Sequence, residues 1–310
     1  MEPEVSSLLV IDGNNLGWRA FGQAPLSFNG QRTEVIKIGL VMLRNYLNLF
    51  SPSNVVVVWD GGHDPFRVLL FPNYKRREIE RTEEEKRERD LFFTQLSKLR
   101  ESISKLGVDQ ICVSHREADD VIFSLLSSRF RVEEQAFVVS TDSDMLQLLS
   151  MYPEVVVYSP VKQILYTKDE VEQRFGFPVE YYVMYKALVG DPSDNLPGVR
   201  GIGPEKAKVV IGYLRQGIEK NWQPCHRSLE KLWNEQRTEY QKMLELITFR
   251  VVPENELREG WIPTSKADIT EMVYEISNQY GFDQILENPV PFVVPFQSLH
   301  NRRQLMERYR

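Results

Sequence analysis

The sequence predicts an α/β fold in which a mostly parallel central sheet is flanked by helices. Short continuous apolar runs, "SSLLVID" at 6–12, "NVVVVWD" at 54–60, "QAFVVSTDSD" at 135–144 and "EVVVYS" at 154–159, read as strands buried on both faces. Helical stretches separate them: "TEVIKIGLVMLRNYLNLF" at 33–50, a charged run from about 78 to 106, and "ADDVIFSLLSSRF" at 118–130. Asp12, Asp60, Asp142 and Asp144 fall at the carboxyl ends of the runs, where parallel sheets gather their ligands.

Composition sets the frame. The chain has 310 residues, 42% hydrophobic and 26% charged, enough for a sizeable core in one large or two modest domains. No apolar run approaches the roughly 18 residues of a membrane span, and the acidic opening "MEPEVSSLLVIDG" does not read as a signal or transit peptide. The expected address is the cytoplasm of a bacterium or a phage-infected host, with no membrane partner. Cys112 and Cys225 are far apart and suggest packing residues in a reducing compartment, and His63, His115, His226 and His300 are scattered without a ligand spacing.

The segment 74–100 opens with Lys75, Arg76 and Arg77 crowded before a charge-laced helix that carries Phe92, Phe93, Leu96 and Leu99 along one side. The Glu/Arg portion reads as a solvated surface, and the basic trio as a site for an anion. Beyond 176 the pattern becomes mainly helical, with a helix starting near Pro178, a glycine- and proline-rich turn, and another helix entered at Pro204. Tyr240–Phe249 reads as an amphipathic helix, and the tail after 251 suggests no function.

The chemistry lies in the acids. Asp12, Asp60, the "EADD" group with Glu117, Asp119 and Asp120, "TDSD" with Asp142 and Asp144, and "DPSD" with Asp191 and Asp194 make nine. A single strand-end aspartate is often only a cap or a turn residue. Nine at such places suggest convergence, with Glu117 and Asp120 sharing a helix face and Asp119 beside them in the first turn. Repulsion among converging carboxylates is removed by divalent cations, and oxygen ligands without histidine or cysteine select Mg²⁺, or Mn²⁺, over zinc. The set is large enough for two ions roughly 4 Å apart, the arrangement that serves phosphodiester cleavage. Setting the nine acids aside turns the formal charge of −6 into +3 for the rest, so net acidity does not exclude a nucleic-acid partner. Arg200, Lys206 and Lys208 lie beside "DPSD", and "GVRGIGP" at 198–204, with Gly198, Gly201 and Gly203, suggests a helix-turn-helix element that offers backbone N–H groups to phosphates.

In order and spacing, "LLVIDGNN", "VVVVWDGG", "READD", "VVSTDSDMLQLL" and "ALVGDPSDNLPGVRGIGPEKA" resemble the motifs of the 5′ nuclease (flap endonuclease) family, which includes phage 5′ to 3′ exonucleases and the N-terminal nuclease domain of bacterial DNA polymerase I. No polymerase follows, so the chain resembles a free-standing nuclease. The resemblance implies a nuclease core at 1–176 with a helical arch at about 74–106, and a mainly helical DNA-binding domain at 177–310 with a helix-three-turn-helix at about 178–215. It implies a first metal site at Asp12, Asp60, Glu117, Asp119 and Asp120, and a second at Asp142, Asp144, Asp191 and Asp194. Lys75, preceded by Tyr74, matches a lysine that contacts the scissile phosphate, so Lys75, Asp142 and Asp144 are the expected catalytic residues. The turn at 198–207 matches a duplex grip that often holds K⁺.

Two positions depart from the pattern. Glu78 stands where an arginine is common, with Arg76 and Arg77 just before it, and Pro204 and Glu205 precede Lys206 in the turn. The expected activity is structure-specific 5′ to 3′ exonuclease and 5′-flap endonuclease cleavage of DNA, with RNA in RNA–DNA hybrids as a further substrate, in replication or repair; no protein partner is indicated. The rivals are a PIN-type ribonuclease, which would not need "GVRGIGP", an inactive structure-specific DNA-binding protein, and a haloacid dehalogenase-type phosphatase, whose second aspartate is replaced by Asn14.

Overall fold

The structure, a computed structural model, describes residues 6–76, 82–129, 135–215 and 227–309. Its strands are β1 (Ser7–Asp12), β2 (Ser27–Phe28), β3 (Gln31–Arg32), β4 (Asn54–Trp59), β5 (Asp109–Cys112), β6 (Gln135–Val139), β7 (Val155–Ser159), β8 (Ile164–Tyr166) and β9 (Trp261–Ile262). Seven form one sheet in the order β8-β7-β6-β1-β4-β5-β9, while β2 and β3 make a separate antiparallel ribbon. The five central strands are parallel, and β8 and β9 close the edges in antiparallel sense. The α/β class with a mostly parallel, helix-flanked sheet is the one the apolar runs predict.

Alternation along the strands explains why those runs are continuous. Leu8, Val10, Val56 and Val58 enter one core with Val121, Ile122 and Leu125 of the Ala118–Arg129 helix. Leu9, Ile11, Val55 and Val57 enter the opposite core with Leu40, Leu43, Leu96 and Leu99. With a period of two and both faces covered, every position must be apolar.

The helix at Glu83–Lys105 starts at Thr82, whose hydroxyl accepts the Glu85 N–H while the Glu85 carboxylate takes the Thr82 N–H in return, a capping box. From Phe92 onward it is a core helix: Phe92, Leu96, Leu99 and Ile103 are buried, each such side chain contributing about 1.5–3 kcal/mol. Residues 82–90 are exposed. Within the stretch 74–106 that the resemblance gave to an arch, the residues from Phe92 on thus pack into the α/β core.

Strand β5 is not among the expected strands. Its sequence, "DQIC", carries a polar residue at a central position, yet Gln110 is fully buried. The Gln110 carbonyl accepts the Trp59 indole N–H at 2.9 Å, and its amide donates to Arg100 O at 3.0 Å and Ser104 Oγ at 2.6 Å. Hydrogen bonding thus stands in for the apolar character that would reveal a strand.

The tail returns to this core. Strand β9 pairs with the β5 edge, and the helices Ile269–Tyr280 and Val290–Tyr309 bury Val273, Ile276, Phe292 and Phe296 beside the Glu34–Phe50 helix. Arg303 donates to Gly107 O, Val55 O and Asp109, at the end of the sheet opposite the strand-end acids. Within the expected 177–310 division, the segment from Trp261 on thus packs against the α/β layer.

Three further helices, Tyr182–Val189, Pro204–Arg215 and Arg227–Ile247, share a third core with Ala187, Leu188, Val199, Ile202, Val210 and Met243. In the sheet, the chain runs β1 to β4 to β5 in one direction, then crosses back to β6 on the other side of β1. The strand order reverses between β1 and β6, and a ligand crevice is expected at their carboxyl ends.

Candidate active site

The strand-end aspartates are locally useful as caps, which fixes their rotamers. Asp12 ends β1 and accepts the Asn15 N–H at 2.9 Å, starting the Gly13–Phe21 helix, while its other oxygen accepts the Ser140 hydroxyl at 2.9 Å. Asp60 follows β4 and accepts the Ala118 N–H at 2.8 Å, capping the acid-bearing helix from a neighbouring strand. The intervening turn is tight: a Cβ at Gly61 would lie 1.8 Å from Val113 O, so only glycine lets this loop reach the next one. Asp142 accepts the Asp144 N–H and Asp191 the Ser193 N–H, both at 2.8 Å.

Four separate segments converge electrostatically. The Asp119 carboxyl, in the first turn of the Ala118–Arg129 helix, is raised well above the carboxylate range by burial, then by Asp142, Asp12 and Asp60. Asp12 is raised to about 7 by burial and Asp60, and Asp144 to about 7 by burial and Asp142. Burial and the neighbouring Asp142 and Asp191 push Asp194 up to about 6 against the pull of Lys75, and burial also raises Asp60. This is the signature of like charges gathered in one cleft.

Basic groups hold the flanks. Burial would raise the Glu117 carboxyl, but His63, Lys75 and Arg67 outweigh it and hold it at about 2. The Tyr74 hydroxyl lies 2.9 Å from Glu117 Oε2 and 3.3 Å from Asp194 Oδ2; Lys75 Nζ lies 2.8 Å and 3.6 Å from the same two oxygens. The Lys75 backbone, at φ 52°, donates its N–H to Asp194 O at 3.0 Å, pinning this turn to "DPSD". Burial works against the Lys75 charge, but Asp119 and Glu117 more than offset it and hold the ammonium well above the lysine range. On the far side, Lys186 is 2.8 Å from Asp144 and also paired with Asp191.

Asp120, in the expected ligand set, has other partners in this structure. It is fully buried: Arg67 reaches both of its oxygens, at 2.5 and 2.9 Å, and the Arg250 N–H donates to it at 2.8 Å. Glu117 and Asp120 do share a side of the helix, as their spacing implies, but the side is the one facing Arg67.

Among the DNA contacts expected from the sequence, Arg76 and Arg200 are exposed, and Gly198, Gly201 and Gly203 lie in the turn before the Pro204–Arg215 helix. Lys206 donates to Gly201 O at 2.8 Å, and Lys208 pairs with Glu205 at 3.2 Å. Arg77 and Glu78 fall outside the described residues, as do Cys225 and His226.

Sequence reasoning missed Arg67, Lys186 and His63. Arg67 and Lys186 leave a usable signal: each is the lone base in a short, otherwise apolar helix, "PFRVLL" and "YVMYKALV". A buried cation needs a buried anion. His63, with Nδ1 3.6 Å from Glu117, has no such signal.

The donor chemistry, carboxylate oxygens that repel one another, suits a hard divalent cation. Among the described residues no three His, Cys, Asp or Glu side chains are closed around a single point as a finished ligand shell. Lysines and Arg67 instead engage several of the carboxylates. No helix among the described residues is long and apolar enough to cross a membrane.

Comparison with known proteins matches this architecture. DNA polymerase I of Mycobacterium tuberculosis is 31% identical over 224 residues, 69% of this chain but only 24% of the polymerase. The chain thus spans about a quarter of the length of such polymerases. A 5′-3′ exonuclease of Aquifex aeolicus is 29% identical over 251 residues, 79% of this chain and 83% of that protein. A crystal structure of a flap endonuclease of bacteriophage T5, in a pseudo-enzyme-product complex with DNA and metal ions, shares the fold with a TM-score of 0.65 at 20% identity, covering 94% of this chain and 98% of that one. The family described as 5′-3′ exonuclease, N-terminal resolvase-like domain, matches residues 7–176, more than half of the sequence. The chain belongs to the 5′-3′ exonuclease family.

Proposed function

We propose that the chain is a structure-specific 5′ to 3′ exonuclease and 5′-flap endonuclease that hydrolyses phosphodiester bonds of DNA, including RNA–DNA hybrids, with two divalent cations. The observation that carries this reading is the convergence on Asp119 of Asp12, Asp60 and Asp142, acids from three other chain segments, at the point where the strand order reverses. Asp12, Asp60, Glu117 and Asp119 would hold one Mg²⁺ or Mn²⁺, and Asp142, Asp144, Asp191 and Asp194 the other. Bound there, the ions supply positive charge that activates water and stabilises the leaving oxygen. Asp120 supports the first group through Arg67 and is not a ligand.

The side chains of this protein bind and orient the substrate. Tyr74 and Lys75 touch both acid groups, through Glu117 and Asp194, so the Lys75 ammonium stands where an incoming phosphate meets the acids. Electrostatic help at that point acts on the charge that develops during cleavage. The turn at 198–203, with Arg200 and the following Lys206 and Lys208, receives the duplex backbone; residues of this turn would hold K⁺, which would add positive charge for a phosphate, and Lys206 donates to Gly201 O. The single-stranded 5′ end would pass under the stretch at about 74–106, whose residues 82–90 are exposed. The flap endonuclease and exonuclease names of the relatives and of the T5 structure agree with this reading.

The test is cleavage of an end-labelled 5′-flap duplex, a blunt duplex and a single-stranded RNA, with Mg²⁺ and with chelator. Metal-dependent release of the flap, leaving a 5′ phosphate on the duplex, is expected. Binding without cleavage in Mg²⁺ and Mn²⁺ would contradict a nuclease, and cleavage of RNA alone would favour a PIN-type ribonuclease.

A further inference from the structure

A side chain far along the sequence helps to hold the turn at 198–203. Val199 and Ile202 are buried and anchor its two ends, leaving Arg200 and Gly201 as an exposed crest. Gly198 at φ 68° packs onto the preceding helix, where an added Cβ would lie 2.5 Å from Gly190 N, so the start of the turn is fixed sterically. Gly201 at φ 82° takes a left-handed conformation that glycine adopts freely. Its carbonyl accepts from Lys206 at 2.8 Å and Ile202 N–H donates to Val199 O at 3.0 Å, while the two polar backbone groups of Arg200 need a partner from outside the turn.

Gln236 provides it. Its Oε1 accepts the Arg200 N–H at 2.8 Å, and its Nε2 donates to Arg200 O at 3.0 Å. One planar amide thus pairs with both polar groups of a single backbone residue 36 positions away and fixes the two peptide planes that meet there. Along the Arg227–Ile247 helix, Tyr240, Met243 and Ile247 are buried at helical spacing, and Gln236 lies one turn before Tyr240 on the same stripe. An apolar residue would continue that stripe; a glutamine there serves the turn.

We propose that Gln236 is a positioning residue for duplex binding, holding the 198–203 crest in the shape that receives a phosphodiester backbone. This rests on the reading of that turn and its bases as the duplex grip. A built Cβ at Gly203 meets nothing within 4 Å, so a phosphate has an open approach beside the crest. A crest already ordered loses less conformational freedom when the duplex arrives.

The experiment compares the full chain with Gln236→Met, which keeps length without either hydrogen bond, and Gln236→Asn, which is too short to reach. A third variant, Arg200→Ala/Lys206→Ala/Lys208→Ala, removes the bases. Binding of a fluorescent 5′-flap duplex is measured in chelator across a salt series, cleavage in Mg²⁺, and melting for every variant. Both Gln236 variants are expected to raise Kd and KM about tenfold, with kcat within about twofold and the salt slope unchanged, because no charge is altered. The triple variant should weaken binding and lower the slope. Gln236 variants that bind within about twofold of the parent while the triple variant weakens would overturn the proposal and leave the duplex grip standing. A triple variant that binds like the parent would overturn the grip itself. If one Gln236 variant does not fold, the other decides; a loss of kcat in proportion to lowered melting would assign Gln236 a merely structural role.

Discussion

Arg67 holds Asp120 through two hydrogen bonds of 2.5 and 2.9 Å, with both side chains buried. The same guanidinium donates to Leu246 O and Thr248 O at the end of the Arg227–Ile247 helix. One arginine therefore ties the acid-bearing helix to the helical region. Removing one partner of a buried pair leaves an uncompensated charge, and Asp120→Ala should destabilise the protein by about 3–5 kcal/mol in urea unfolding. Asp119→Asn should do the reverse in chelator at pH 7.5, raising stability, since the native Asp119 charge is opposed by burial, Asp142, Asp12 and Asp60. Equal destabilisation by both variants would contradict the division of roles.

The pH dependence of stability has a worked sign. Asp12 and Asp144 rise from an ordinary 3.8 to about 7 on folding, and Asp194 to about 6. Between those values the folded state holds protons that the unfolded chain has released, so each group costs stability as pH rises through the window. Glu117, held at about 2, has the opposite sign: its contribution is complete above its ordinary 4.5 and is lost as pH falls toward 2. Melting in chelator should therefore decline from about pH 4.5 to about pH 7, and Mg²⁺ should flatten that decline. A melting temperature that climbs over this range in chelator would contradict the carboxylate cluster.

Lys186→Met should unmask the second acid group. Asp144 and Asp191 lose their shared ammonium, and the chain should lose about 3 kcal/mol in chelator, as expected for breaking a buried ion pair. Mg²⁺ should then raise the melting temperature of the variant more than that of the parent. An equal increment in both would argue against a cation at Asp144 and Asp191.

Lys75→Ala should lower single-turnover cleavage of a flap at least about 100-fold, the scale of a lost electrostatic stabiliser, while flap binding in chelator changes far less. An effect on binding alone would assign Lys75 to gripping the substrate.

The α/β class was legible because β1 and β4 are buried on both faces, which writes an uninterrupted apolar run into the sequence. Strand β5 was not legible, since buried Gln110 satisfies its polarity through Trp59, Arg100 and Ser104, partners that no local pattern exposes. The acids were visible as a set, but their directions were not. Asp119 and Asp120 are adjacent and chemically identical, and what separates them is Arg67, more than fifty positions away. The tail was opaque because its role is to cover a sheet edge and a helix face, and such packing depends on distant partners such as Val55 and Asp109 for Arg303.

Single-turnover cleavage of a 5′-flap duplex by Asp119→Asn in saturating Mg²⁺ tests the carboxylate cluster as the catalytic centre most directly. The expected result is a fall of at least about 1,000-fold, with flap binding in chelator kept and Asp120→Asn, where it folds, retaining far more activity. An Asp119→Asn rate within about tenfold of the parent would contradict it.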